Sequence, residues 1–390
     1  MSRLAAKKVG IESLTTNLNL TETLDRIVTV FADRAPHYDR IGEIAFDNIA
    51  DLKTAGLLAA TVPRAYGGHG IGLRQVVEII GRIGEGDPST ALILIMQYLQ
   101  CGAIGHSTIW PEVVKDEVLS SIVRDGALIN ALRVEPELGT PARGGLPATT
   151  VRREGDIWLL NGRKIFSTGS SALSWGVVWT RTDEDEPRVG QVIVPLDLPG
   201  TRIEKSWFHL GMRATGSDTI IFENVALPER YLVNLQPPAE AAEEALAGWH
   251  AVAVAALYDG IARSARTWLI SFLQDRIPSN LGKSLATQPR FQALLGEIEA
   301  LLLVNRSLIE HAVSREEAGE KPTTDAGLVK HVVTENAIAA ISKGVAAIGN
   351  PALTQSNPLE RHYRDVLCGR IHTPQQDVVL SASGRAALGV

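Results

Sequence analysis

Apolar residues recur at intervals of three and four from about residue 22 to 125, the spacing that lines one face of a helix. "TETLDRIVTVFADRAPHYDRIGEIAFDNIADLKTAGL" carries this pattern and stops a helix at a glycine. "VPRAYGGHG" then reads as a loop, and "GDPSTALILIMQYLQCGAIG" opens another helix with Asp87 at its N-cap and Pro88 at its first position. Between about 128 and 235 the period shortens to that of strands. "ATTVRREGDIWLLNG", "WGVVWTRT", "RVGQVIVPLD" and "TIIFENVALP" are β-rich runs separated by turn signals. Among them "VRREGDIWLLNGRKIF" predicts a hairpin followed by a tight Asn-Gly turn. After "LPERYLVNLQPP" helical spacing returns. It predicts three long helices and a fourth that begins near Thr373 or Pro374 and includes "QDVVLSASGRAAL". The expected architecture is α+β and mainly α: an all-α domain over 1–127, a β-barrel or sandwich over 128–235, and a four-helix bundle over 236–390. No internal repeat or low-complexity tract is visible.

Composition narrows the classes of function. The 390 residues are 45% apolar and 21% charged, with a net charge of −6. These are ordinary values for a globular protein. Lys and Arg are scattered, so no basic stripe for nucleic acid is present. "ALILIM" and "AVAVAALY" have core-helix lengths and fall short of the ~18 apolar residues of a membrane span. The N-terminal "MSRLAAKKVGIESL" lacks the apolar stretch of a signal peptide. Cys101 and Cys368 lie far apart and beside no other metal-ligating residues, which suits a reducing cytoplasm and predicts no metal site.

Five segments carry a family resemblance over nearly the whole chain: "VPRAYGGHG", "RVEPELGTP" (133–141), "LNGRKIFSTGS" (160–170), "GMRATGSDTIIFENVALP" (211–228) and "NPLERHYRD". Taken together and in this order, the sequence resembles the acyl-CoA dehydrogenase superfamily of flavoproteins. The resemblance implies a flavin, FAD or FMN, and a set of residues around it. The backbone of Arg133, Val134 and Glu135 would meet the polar edge of the flavin ring, which needs hydrogen-bond partners in an otherwise apolar site. Phe166 would lie against the ring, with Ser167 or Thr168 near N5. Gly139 and Thr140 stand where a small pair lets backbone approach the cofactor closely. Without the other motifs, "FSTGS" reads equally as a turn after a strand. Arg213 is open to a structural or a ligand-binding role. Arg276 and Gln288 match a segment that grips the diphosphate of FAD across a subunit interface. Here its spacing is stretched and its phenylalanine is missing, which favours FMN or a flavin that comes and goes.

The chain departs from the family where catalysis is concerned. A dehydrogenase of this kind needs a carboxylate to remove a proton from the acyl thioester. In "RHYRDVLCGRIHTPQQD" the matching run is His372, Thr373 and Pro374, with Thr373 at the glutamate. A second family position for the base falls on His250, which reads either as a proton acceptor or as a packed core histidine. Asp377 is a further candidate if the register slips by one turn, and Glu243 and Glu244 read as a solvated face. The resemblance therefore points to the branch of two-component monooxygenases. Those enzymes take reduced flavin from a separate reductase and use O2 through a C4a-(hydro)peroxyflavin. His372 and Gln375 would contact substrate, with Gln97 on the N-terminal helix as a further donor. The alternatives are an acyl-CoA dehydrogenase with a displaced base and a catalytically silent homologue. A small-molecule substrate and a homodimer or homotetramer follow from the resemblance; the identity of the substrate does not.

Overall fold

A computed structural model of the chain describes residues 17–139, 145–236, 246–320 and 325–390. Five helices come first: α1 (Asn17–Ile41), α2 (Phe46–Thr54), α3 (Leu73–Gly86), α4 (Pro88–His106) and α5 (Glu112–Asp125). The start of α4 follows the sequence expectation, since the Asp87 side chain accepts a hydrogen bond from the Ser89 N–H and Pro88 fills the first turn. From Pro88 to Ile95 every residue of α4 is buried. A helix apolar on all sides belongs inside a core rather than on its surface.

Eight strands follow: β1 (Leu128–Leu132), β2 (Thr150–Glu154), β3 (Ile157–Lys164), β4 (Leu173–Thr182), β5 (Val189–Pro195), β6 (Thr201–Glu204), β7 (Thr219–Pro228) and β8 (Asn234–Gln236). They form one sheet in the order β6-β7-β3-β2-β4-β5-β8, with β1 running parallel to β4. The β2–β3 hairpin is present as expected. The Asn161-Gly162 turn is not. Both residues lie within β3, where the register against β7 shifts between Leu160 and Gly162. A Cβ at Gly162 would stand 2.5 Å from the Thr149 hydroxyl, so the glycine serves a close approach at an irregularity in the strand.

The C-terminal part consists of α6 (Ala247–Asp275), α7 (Pro289–Glu317), α8 (Asp325–Ile348), α9 (Pro358–Leu367) and α10 (Gln376–Leu388). The expected last helix exists as α10, but it buries only Val379. The fourth place in the bundle is taken by α9, which buries Leu359, Arg361, His362, Asp365 and Val366. The bundle shares one apolar core with the first helices, in which Ile79, Leu94, Leu257, Ile338 and Leu359 belong together. Helices α3 and α6 cross with backbones touching: a Cβ at Gly260 would lie 2.3 Å from the Gly81 carbonyl oxygen. The sheet keeps a second core with α5. Among the described residues no helix is long and apolar enough to cross a membrane.

One buried ion pair joins the sheet to the segment that precedes it. Lys164 and Glu135 are 0% and 1% exposed at the side chain, and Nζ lies 2.6 Å from Oε1. Glu135 also accepts from the N–H groups of Ala148 (2.7 Å) and Thr149 (3.0 Å) and from the Thr149 hydroxyl (2.5 Å). Burial alone would push the Glu135 carboxyl up. The bonds from Lys164 and Thr149 outweigh it and hold the group below the usual carboxylate range. Burial draws Lys164 down to about 8, against the pull of Glu135, so at neutral pH it is still mostly an ammonium. Removing one partner of such a pair strands the other charge. Lys164→Met should therefore destabilise the fold by roughly 3–5 kcal/mol in urea denaturation, and Lys164→Met combined with Glu135→Leu by less than either change alone.

Candidate active site

At the end of β3 the chain turns sharply, with Phe166 at a φ of 55°. For a bulky residue that backbone is strained by roughly 1–3 kcal/mol and persists only where its surroundings impose it. Here they do. The Ile165 N–H donates to the Val134 carbonyl (2.9 Å), the Ser167 N–H to Asp218 (3.1 Å) and the Gly169 N–H to Thr215 (2.9 Å). The result is a phenylalanine ring left 53% exposed. Trp207 and His209 stack on each other at 3.6 Å, and both meet Phe166 edge-on. Asp218 holds this trio in place by accepting from the N–H groups of Ser206 and Trp207, while the Trp207 indole N–H donates to the Met212 carbonyl. A groove of about 600 Å³ runs past Phe166, with Glu135, Pro136, Arg163, Ile165 and Ser206 in its walls. An exposed aromatic ring on a strained, rigid backbone beside a groove of this size fits the planar ring system of a flavin.

Thr168 is half-buried at the same face. Its hydroxyl shares a hydrogen bond with Ser217 (3.0 Å), and its carbonyl accepts from the Asn130 amide (3.0 Å). Ser167 is 2% exposed and its hydroxyl reaches back to the Lys164 carbonyl, so of the two residues only Thr168 can face a ligand. The Arg133 guanidinium lies over the Trp179 ring. Gly139, at a φ of 70°, closes the 135–139 loop through paired backbone bonds with Glu135. Thr140, Glu243 and Glu244 lie outside the described residues. The Arg213 Nε donates to the His209 carbonyl and so braces the aromatic trio.

A second cluster forms on the bundle. The Tyr258 hydroxyl, on α6, lies 2.8 Å from Nδ1 of His372. Tyr258 is fully buried and its phenol is held far above its usual range by that burial, so it keeps its proton. A phenol that keeps its proton can donate it to Nδ1, and the imidazole hydrogen then sits on Nε2. Burial first, then the charge of Lys330 and the proximity of His250, push the His372 ring down to about 3. His372 is thus a neutral hydrogen-bond donor. Lys330, on α8, is 2% exposed and donates to the carbonyls of His372 (2.7 Å) and Pro374 (3.3 Å). The structure brings His372 and His250 together as neighbours, with Thr373 between the two pinned carbonyls. Gln375 precedes α10 and caps it through its carbonyl, and Asp377 is exposed in the first turn.

One sequence expectation changes. Gln97 is 1% exposed, and its amide is spent on the carbonyls of Leu58 and Ala127 and the N–H of Ile129. It ties α4 to β1 and has nothing left for a substrate. Arg276 and Gln288 flank the loop beyond the far end of α6, about 39 Å from His250 at the rise of an α-helix. The role the resemblance implies for them lies across a subunit interface. Asn130, Trp207, Tyr258 and Lys330 join these clusters beyond the residues the sequence predicts. The aromatic triplet "WFH" at 207–209 was the visible signal for one of them; the others act through partners distant in sequence. Among the described residues no group of three His, Cys, Asp or Glu could hold a metal ion.

Three family models match the chain in succession: the acyl-CoA dehydrogenase N-terminal domain over residues 19–119, the middle domain over 133–225 and the C-terminal domain over 251–376. YdbM of Bacillus subtilis (strain 168), provisionally named an acyl-CoA dehydrogenase, is 34% identical over 92% of this chain and 94% of its own. L-evernosamine nitrososynthase of a Micromonospora species is 28% identical over 94% of this chain and 88% of its own. The structure of KijD3 with FMN and a dTDP-amino-keto sugar superposes with a TM-score of 0.83 at 25% identity, covering 97% of this chain and 95% of that one.

The locked tautomer has a direct signature. Nitrogen NMR of the histidine rings should show His372 as a neutral ring protonated at Nε2, unchanged from about pH 5 to 8, where an ordinary histidine titrates. A His372 signal that moves with a midpoint near 6.5 would contradict the geometry.

Proposed function

The chain belongs to the acyl-CoA dehydrogenase superfamily of flavin-dependent oxidoreductases, and within it we propose a monooxygenase that uses reduced flavin and O2 on a small-molecule substrate. The observation that carries this reading is the state of His372. Desaturation of an acyl thioester needs a group that accepts a proton from carbon. At the position that matches the family's glutamate the Thr373 hydroxyl is no base at neutral pH, and at the residue before it the His372 Nδ1 is bonded to Tyr258 and the ring resists protonation. What the loop offers instead is a neutral donor. Oxygen transfer requires hydrogen-bond donors and exclusion of water rather than a carboxylate.

A bound flavin would supply the electron pair and the reaction with oxygen. Phe166 and the backbone of 133–139 would hold its ring system, and the Thr168 hydroxyl would stand at its reactive edge. His372 would donate to the substrate or to the oxygen atom being transferred, and Gln375 would contact the substrate beside it. FMN is the flavin we favour, because KijD3 holds FMN and because the segment that carries Arg276 and Gln288 is stretched and lacks its phenylalanine. If they contribute, a second copy must bring them, so a homodimer or homotetramer belongs to the same reading. So does a separate flavin reductase. The nitrososynthase name also describes an oxidation at nitrogen rather than a desaturation. Cys101 and Cys368 are both free thiols, in keeping with a cytoplasmic enzyme.

The second reading is an acyl-CoA dehydrogenase with its base at His250. The proximity of His250 to His372 and the name of YdbM favour it.

Two measurements separate these readings. When protein loaded with reduced FMN is mixed with oxygen, loss of reduced flavin should run ahead of hydrogen peroxide release. Peroxide that appears in step with flavin oxidation, combined with bleaching of bound oxidised flavin by butyryl-CoA or octanoyl-CoA, would favour the dehydrogenase. His372→Ala should abolish the lag in peroxide release and lower productive turnover by roughly 100- to 1000-fold, as loss of one preorganised donor does elsewhere. In the dehydrogenase reading, His250→Ala would instead remove bleaching by acyl-CoA.

A further inference from the structure

Lys330 is a buried cation with no ion-pair partner among the described residues. The residue is 2% exposed and its ammonium donates to two backbone carbonyls, those of His372 and Pro374. Glu335, the carboxylate whose charge reaches it, forms a two-pronged pair with Arg370. Burying a charge against carbonyl oxygens alone is costly, and an apolar side chain of the same length would pack more cheaply. The same position is well suited to two other tasks. The two carbonyls bracket Thr373, so one ammonium holds both sides of the loop that replaces the family's catalytic turn. Burial does most to keep the His372 ring neutral, and the Lys330 ammonium, bonded to that residue's own carbonyl, adds to it by opposing a second positive charge.

We propose that Lys330 is the positioning residue of this site: it pins the 372–374 loop and keeps the His372 ring neutral, so that the ring presents an N–H instead of taking up a proton. The groups that face the His372 ring are then Tyr258 and His250 from α6 and Lys330 from α8. Tyr258 selects the tautomer, and Lys330 guards the charge state. This role rests on the proposed function only in what the N–H is for; the protonation state of His372 is a property of the chain itself.

The test compares Lys330→Met with Lys330→Arg in the full-length protein without added flavin, reading His372 by nitrogen NMR across pH. Lys330→Met should raise the proton affinity of His372 at least tenfold, and Lys330→Arg, which keeps the charge, should leave it within about twofold of the parent. A His372 ring that responds identically to both substitutions, or to neither, would overturn the proposal. Should Lys330→Met fail to fold, Lys330→Gln gives the same comparison with a hydrogen-bond donor retained. A second arm follows peroxide release from the variants loaded with reduced FMN. Loss of the lag in Lys330→Met but not in Lys330→Arg supports the positioning role. A shift of His372 in the NMR arm with the lag absent from the parent protein as well leaves Lys330 in its role and rejects the monooxygenase.

Discussion

The pairing of Glu135 with Lys164 is the interaction on which the cofactor face depends. Lys164 is the last residue of β3, and Glu135 begins the loop that closes at Gly139. Neither charge could be buried here alone, and together they draw three stretches of chain to one point, since Glu135 also collects the N–H groups of Ala148 and Thr149. With both ends of the turn fixed in this way, Phe166 is left in a left-handed backbone with its ring toward solvent. The strain is local, and the bonds around it are buried and short. An apolar pair of the same volume could hold the fold, but it would not orient the four donor groups that converge on Glu135 and set the loop's path.

That face must also stand at a defined distance from the bundle. Asp365, on α9, accepts from the Met212 N–H at 2.6 Å, and Arg364 donates to the Leu210 carbonyl while pairing with Asp39 of α1 and Glu360. Burial raises the Asp365 carboxyl to about 7, which measures how far this contact lies from water. The 210–212 backbone that supports Trp207 and His209 is thus bonded to the helix that leads, seven residues later, to His372. The arginine-rich "RHYRD" run joins helical bundle, sheet and first helix before it has any connection with chemistry.

Much of this was legible in the sequence. The three segments follow from the change of hydrophobic period, and the Asp87 cap and the β2–β3 hairpin from local residue chemistry. Local signals also misled where tertiary contact decides. Asn161-Gly162 has the composition of a turn, yet the glycine is there because Thr149 packs against it. Gln97 has the composition of a donor on a site helix, yet its amide is saturated by backbone. The exposure of Phe166 could be expected from a family motif but not from its own side chain, which favours burial. Tyr258 and Lys330 could not be found by pattern at all. They lie 114 and 42 residues from His372, and nothing in an alanine-rich helix or a valine-rich one marks a residue whose partner is a loop so far along the chain.

The loss of the glutamate at Thr373 and the histidine beside it gain their meaning from these two partners. A histidine alone in a half-buried site could act as acid, base or donor, because its ordinary pKa lies near neutrality. Tyr258 occupies Nδ1, and burial first, then a positive charge nearby, makes a second proton unfavourable. Each effect closes one of the ring's alternatives, and the function that survives both is donation from Nε2. A loop built to keep a base would show the reverse: a carboxylate or carbonyl beside the ring and no cation. The surroundings of His372 therefore discriminate between proton abstraction and hydrogen-bond donation more sharply than the identity of residue 372 itself.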